Sequence, residues 1–269
     1  MKKGYVDTVH GQVHYRRDGD KGPDLFLFHE SPLSSRTYEK CLPILGRAAR
    51  AVAFDTPGYG FSDPPGAPVS IEDYAGRLLE AIDAVGSEEF AVAAAHTGAS
   101  IAVELIRVAE PGRVTHAIFS GMPLLTAEQV AAFAPRIEPP DPDAGGGHLQ
   151  KIWASRQRSA GEDASLEQIQ ATSLDMMQVY DRYDWGLRAA FDYDPEPALR
   201  ALACPVLFLN GAGDSLAEMD QNAAGLVAGS ALILNPDCGT QICWRAPDFY
   251  AGEVLKFLGV EVSARRTRR

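Results

Sequence analysis

The stretch 90–106 constrains this chain more than any other. Phe90-Ala91-Val92-Ala93-Ala94-Ala95 is small and apolar, fit for a strand buried on both faces. His96-Thr97-Gly98 makes a turn, and Ser100 to Ile106 reads as an apolar helix. A strand, a tight turn and a helix in immediate succession lift one side chain above the sheet edge. Ala94, Gly98 and Ala99 flank the turn because strand and helix backbones nearly touch there. In that register the raised residue is His96.

Around this element the chain alternates strand and helix signals. Residues 5–17 alternate as an edge hairpin turning near Gly11, with His10 and His14 expected at the surface. Residues 24–28, 51–54, 113–120, 204–210 and 231–234 read as further strands. Helices are expected at 38–45, 71–85 and 247–258. Between roughly 123 and 200 no strand is apparent; helical segments start near His148, Leu166 and Trp185, after a Pro- and Gly-rich connector at 138–147. The expected organisation is a core at 1–122 and 201–262, a helical lid at 123–200, and a disordered basic tail at 263–269.

Composition narrows the partners. The chain of 269 residues carries a formal charge of −11, which repels nucleic acid and anionic membrane. No apolar run is long enough to span a bilayer, and no signal peptide is seen. Cys41, Cys204, Cys238 and Cys243 form no CxxC pair, which fits free thiols and a cytoplasmic location. No cluster has metal-ligand spacing, so neither a metal nor another cofactor is expected. The expected partner is a small-molecule substrate; the oligomeric state stays open.

Further landmarks fall in order along the chain. His29-Glu30-Ser31-Pro32 follows the strand at 24–28, Asp55-Thr56-Pro57-Gly58-Tyr59-Gly60-Phe61-Ser62 follows the next, Asp214 follows the strand at 204–210, and Gly239-Thr240 follows the last. With the Ala94 to Gly98 elbow, this set resembles the α/β-hydrolase superfamily over nearly the whole chain, and the first loop is similar to that of haloalkane dehalogenases and their epoxide-hydrolase-like relatives. The resemblance implies an α/β fold: a mostly parallel eight-stranded sheet, helices on both faces, and a helical lid. It also implies an oxyanion hole from the backbone N–H groups of Ser31 and Thr97.

Three positions depart from the family pattern. His96 stands where a nucleophile belongs, Thr240 where the general-base histidine belongs, and Glu30 where the oxyanion-loop glycine belongs. A serine route needs an alcohol, a histidine and an acid, and only the acid, Asp214, is in place. The elbow imidazole is long enough to start from the nucleophile's side and meet Asp214, directly or through water, leaving Thr240 to make room. The first reading is therefore a cofactor-free hydrolase or lyase acting on a small apolar carbonyl compound, with His96 as general base or nucleophile. The second is an inactive binding protein on the same scaffold, and the third an esterase using Thr97. Glu30 either lies at the surface or enters the pocket as a second acid/base group. His148, Trp153 and Tyr183 are candidate lid contacts to substrate.

Overall fold

Strand β5 (Phe90–Ala95) is buried at every position, and the sheet is built outward from it. Its hydrogen-bonded neighbours are β3 (Asp24–Phe28) and β6 (Val114–Ser120), both parallel to it. A computed structural model describes residues 1–137, 141–161 and 164–260. With β1 (Lys2–Thr8), β2 (Gly11–Asp18), β4 (Arg50–Phe54), β7 (Val206–Gly211) and β8 (Ala231–Asn235), the sheet has eight strands in the order β1-β2-β4-β3-β5-β6-β7-β8. The pairs from β4 through β8 are parallel; β1 and β2 add antiparallel.

Period-two alternation separates two cores. Phe26, Phe28, Val92 and Phe119 point to one face, where α2 (Ile71–Val85) and α3 (Thr97–Val108) cover them. Leu25, Leu27, Ala91, Ala93 and Ile118 point to the other, under α1 (Leu42–Leu45) and the closing helices α10 (Ile242–Arg245) and α11 (Pro247–Phe257). Ser70 and Asp73 cap α2 reciprocally, and Gly86 ends it in the left-handed region at φ 84°.

Between β6 and β7 the described residues form α4 (Ala127–Phe133), α5 (Gly147–Ala160), α6 (Leu166–Gln178), α7 (Trp185–Phe191) and α8 (Glu196–Arg200); α9 (Ala217–Leu226) follows β7. The sequence pattern anticipates α5, α6 and α7, but not the short α4 and α8 or the weakly amphipathic α9. Part of the expected connector, 138–140, and the basic tail, 263–269, fall outside the described residues. The inserted helices are tied to the loops after β3 and β4 by polar contacts. Ser34 Oγ donates to Asp175 at 2.8 Å, Arg182 Nε donates to the Gly58 carbonyl at 2.5 Å, and the Gly186 N–H donates to the Tyr59 hydroxyl at 2.6 Å.

His14 departs from its expected surface position. It is buried, and its Nδ1 lies 2.7 Å from Asp55 Oδ2. The loop after β4 folds over the hairpin, so the Asp55 carboxylate also accepts from the Ser35 and Phe61 N–H groups. Burial opposes the charge of Asp55, but these donors and the nearby His29 bring its pKa down to about 2. A Cβ on Gly60 would stand 2.1 Å from that carboxylate, which accounts for a glycine in the loop. His116 lies in β6 and is set edge-on against Phe257.

The elbow glycine is a further close approach. A Cβ on Gly98 would lie 2.4 Å from the Phe28 carbonyl oxygen and 2.7 Å from that of His29, both backbone atoms of the neighbouring strand exit. Gly98→Ala is expected to lower the unfolding free energy by about 1–3 kcal/mol in urea titration, the usual cost of overpacking a rigid contact. By contrast, a Cβ on the exposed α11 residue Gly252 meets nothing within 4 Å. Gly252→Ala should add about 0.5–1 kcal/mol through helix propensity.

Candidate active site

The order of the strands decides where the site lies. The chain steps from β3 to β4 on one side and returns to β5 on the other, so the exits of β3 and β5 part above the sheet. Crevices at the carboxyl ends of strands beside such a reversal are where open α/β sheets take ligands. Here the β3 exit supplies Glu30 and Ser31, and the β5 exit supplies His96.

His96 has φ 48° and ψ −118°, outside the comfortable regions for a side chain with a Cβ. It is the apex residue of the bend, with Ala95 ending β5 and Thr97 opening α3. Its Nε2 lies 3.1 Å from Asp214 Oδ2, and its Nδ1 lies 3.4 Å from Glu30 Oε2. To reach Asp214 at the end of β7, the ring passes over the exit of β6. Gly121 lies on that path, and a Cβ there would stand 2.4 Å from His96 Cδ2. The direct pairing is thus geometrically formed.

Electrostatics fix the state of the ring. Burial works against the charged form, but the charge and hydrogen bond of Asp214, and then the charges of Glu30 and Asp220, outweigh it and push the pKa of His96 up to about 10. Burial also opposes the charge of Asp214. The His96 cation, the Leu216 N–H at 2.8 Å and the Thr240 side chain outweigh that opposition and hold Asp214 well below the usual carboxylate range. Both neighbouring carboxylates thus favour the imidazolium form of His96 at neutral pH. A ring facing two carboxylates is biased toward its charged form, which bears on the base and nucleophile roles expected of it.

Several groups of this network carry no strong sequence signal. Gln241 Nε2 donates to Glu30 Oε1 at 2.5 Å, and Gln168 on α6 donates to Gln241 Oε1 at 2.6 Å. Gln241 is itself left-handed, at φ 59°. Asp220 on α9 accepts from the Gly121 and Met122 N–H groups and from Asn210 Nδ2 at 2.7–2.8 Å. Burial nonetheless raises its pKa to about 6. Adjacency of Gln241 to Thr240 was the one available hint; Asp220 and Gln168 reach the site from helices whose packing no local pattern specifies.

A cleft of about 730 Å³ opens above these groups, lined among others by Glu30, Ser31, His96, Thr97, Tyr183 and Thr240. It takes in six of the nine sequence candidates, and Asp214 sits behind His96, facing a smaller space. His148 and Trp153 are not among the lining residues. His148 is turned back, because Asp143 accepts from the N–H groups of Gly145, Gly147 and His148, while the imidazole Nδ1 accepts from the Asp143 N–H at 3.1 Å. Trp153 is half-buried along α5, and that helix presents Ser155, Arg156, Arg158 and Ser159 to the cleft.

The Thr97 N–H opens α3 and so has no partner within the helix, while the Ser31 N–H has no hydrogen bond among the described residues. His29, buried, holds that loop in place. Its Nε2 accepts from the Thr56 N–H at 2.9 Å, which leaves Nδ1 to donate to the Glu30 carbonyl at 2.9 Å. Among the described residues no group of His, Cys, Asp or Glu is arranged to hold a metal ion, and no helix is long and apolar enough to cross a membrane.

An open, mostly parallel sheet with a sharp elbow after its central strand and an acid after its penultimate one defines a hydrolase-type scaffold. The chain belongs to the alpha/beta hydrolase family, whose model matches residues 9–253. It is similar to a hydrolase from Pseudomonas aeruginosa PA01, with a TM-score of 0.80, 21% identity, and coverage of 96% of this chain and 98% of the other. A bromoperoxidase from Bacillus anthracis has a TM-score of 0.80 at 16% identity, covering 96% and 100%. An enol-lactonase from Burkholderia xenovorans LB400 has 0.77 at 18%, covering 95% and 100%. At these identities the likeness concerns the fold.

Nitrogen-resolved NMR of the imidazoles should find both ring nitrogens of His96 protonated at neutral pH, with titration near pH 10. Asp214→Asn should bring that midpoint down. A pKa raised on folding stabilises fully below the unfolded value of 6.5 and is lost as pH rises through about 10. Wild type should therefore lose stability relative to His96→Gln across that interval. A neutral ring at neutral pH would contradict the assignment.

Proposed function

We propose that this chain is a hydrolase-fold enzyme acting on a small carbonyl compound without an acyl-enzyme step. The observation that carries the reading is His96, held at a strained φ of 48° with carboxylates facing both ring nitrogens. Strain and buried charge at one residue cost stability, and such sites concentrate where function requires them.

In this reading the carbonyl oxygen rests against the N–H groups of Ser31 and Thr97. Glu30 accepts a proton from a carbon beside the carbonyl, or from an attacking water. Its Oε1 is already taken by Gln241, while Oε2 stands 3.4 Å from His96, too far for a good hydrogen bond, so it keeps accepting capacity. The His96 imidazolium, anchored by Asp214, stabilises the enolate or alkoxide that develops and donates its proton to the departing group. Thr240 leaves the ring room, and Tyr183 forms part of the wall. The helices between β6 and β7 serve as the lid that excludes water.

A screen of activated esters, diketones and enol compounds should give turnover that falls about 10²–10⁴-fold in Glu30→Gln and in His96→Gln. Thr97→Val should retain most of it, since only the backbone of Thr97 takes part. The kcat/KM of wild type should decline as His96 loses its proton near pH 10. A rise along that limb would instead make His96 the base. Ligand binding without turnover would identify a binding protein, and loss confined to Thr97→Val an esterase using that hydroxyl.

A further inference from the structure

The wall of the cleft opposite the sheet is unlike the rest of this acidic molecule. Helix α5 turns Ser155, Arg156, Arg158 and Ser159 toward the same cleft that His96 enters from the sheet side. The chain has 36 acidic and 25 basic residues, and Arg36, Arg50, Arg107, Arg113, Arg182, Arg188 and Arg200 each pair with a carboxylate. Neither Arg156 nor Arg158 forms an ion pair among the described residues.

Arg156 is the more telling of the two. Its Nη2 donates to Ser159 Oγ at 3.0 Å, which fixes the direction of the guanidinium. Its Nε is buried and has no hydrogen-bond partner among the described residues. A buried charged donor left unmatched costs more than a neutral one, and native structures seldom leave one so. A planar guanidinium is matched best by a carboxylate, which takes two parallel N–H bonds. The same cleft is also lined by the apolar side chains of Leu125, Phe133, Leu187 and Phe191.

We propose that Arg156, assisted by Arg158, is a subsite for a carboxylate on the substrate. The substrate class is then an amphipathic oxo acid or ester acid, in which an apolar spacer separates the reacting carbonyl from a terminal carboxylate. The sign of the site follows from its ends. On the sheet side two carboxylates, Glu30 and Asp214, outnumber the single His96 cation, so a permanent acid group is favoured at the α5 side and the carbonyl toward the elbow. This orients the substrate before any chemistry occurs. The inference deepens the proposed function and rests on it for the identity of the reacting end, but the subsite itself can be tested by binding alone.

The probes are 6-phenylhexanoate and its neutral counterpart 6-phenylhexanamide, measured by titration calorimetry on the full chain at neutral pH. The acid should bind about tenfold or more tightly than the amide. That preference should shrink to about threefold or less in Arg156→Gln, shrink part of the way in Arg158→Gln, and weaken as salt is raised from roughly 0.05 to 0.5 M. Arg158 is exposed, so its variant retains the fold if Arg156→Gln does not, and circular dichroism checks both. Equal binding of acid and amide, binding of neither, or a preference unchanged in the double variant would overturn the subsite. The calorimetric result needs no turnover. A charge preference without catalysis would leave the subsite standing and sink the proposed reaction, whereas an active enzyme blind to charge would do the reverse.

Discussion

The contact between His96 and Asp214 must bridge the ends of β5 and β7, which have β6 between them. Two strand spacings amount to about 10 Å, a gap a hydroxyl on a short side chain does not cross. An imidazole on the elbow crosses it, provided nothing on the β6 exit stands in the way. Gly121 satisfies that condition, since a Cβ there would collide with the ring. Asp220 then holds the β6 exit by accepting from the N–H groups of Gly121 and Met122. The geometry of the site thus depends on one long side chain and one absent one.

The same contact sets the charge of the site. One imidazole stands within reach of Asp214 and Glu30 and feels Asp220 behind them. Deprotonating the ring would leave these carboxylates repelling one another in a partly buried space, so the proton stays. This separates the site from an ordinary triad, where a single acid faces the histidine and the ring can accept the nucleophile's proton. In the proposed reaction the ring is the proton donor. In that reaction Glu30 is the acceptor on the cleft side, and a chain of amides from Gln168 through Gln241 orients its carboxylate.

The inserted helices take their place through polar attachments to the core loops, and these same loops build the site. Asp175 on α6 is held by Ser34 and by Arg36, whose Nε lies 3.2 Å away, while α7 rests on Tyr59. A small apolar cluster of Leu33, Ile137, Ile152, Met176 and Tyr183 joins the two layers. The cleft is therefore walled by the sheet on one side, with its carboxylates and amide donors, and by α5 on the other, with its arginines. That opposition of charge is a property of the assembled layers and of neither alone.

The sequence by itself determined the scaffold. Its runs of buried strand residues, the period of α2 and α3, and the ordered loops at His29, Asp55, His96, Asp214 and Gly239 specify the eight strands and mark the elbow, because each depends on residues adjacent along the chain. It also placed His96, Glu30 and Asp214 just beyond the carboxyl ends of strands. Tertiary structure alone decided that His14 is buried against Asp55, that His148 is bound back to Asp143 and Trp153 left off the cleft, and that Gln241, Gln168 and Asp220 complete the network. It also decided the protonation of the ring. Those outcomes depend on desolvation and on distances between groups far apart in the chain, such as Gln168 and Gln241 or His96 and Asp214, and no local pattern of residues encodes a distance across the fold.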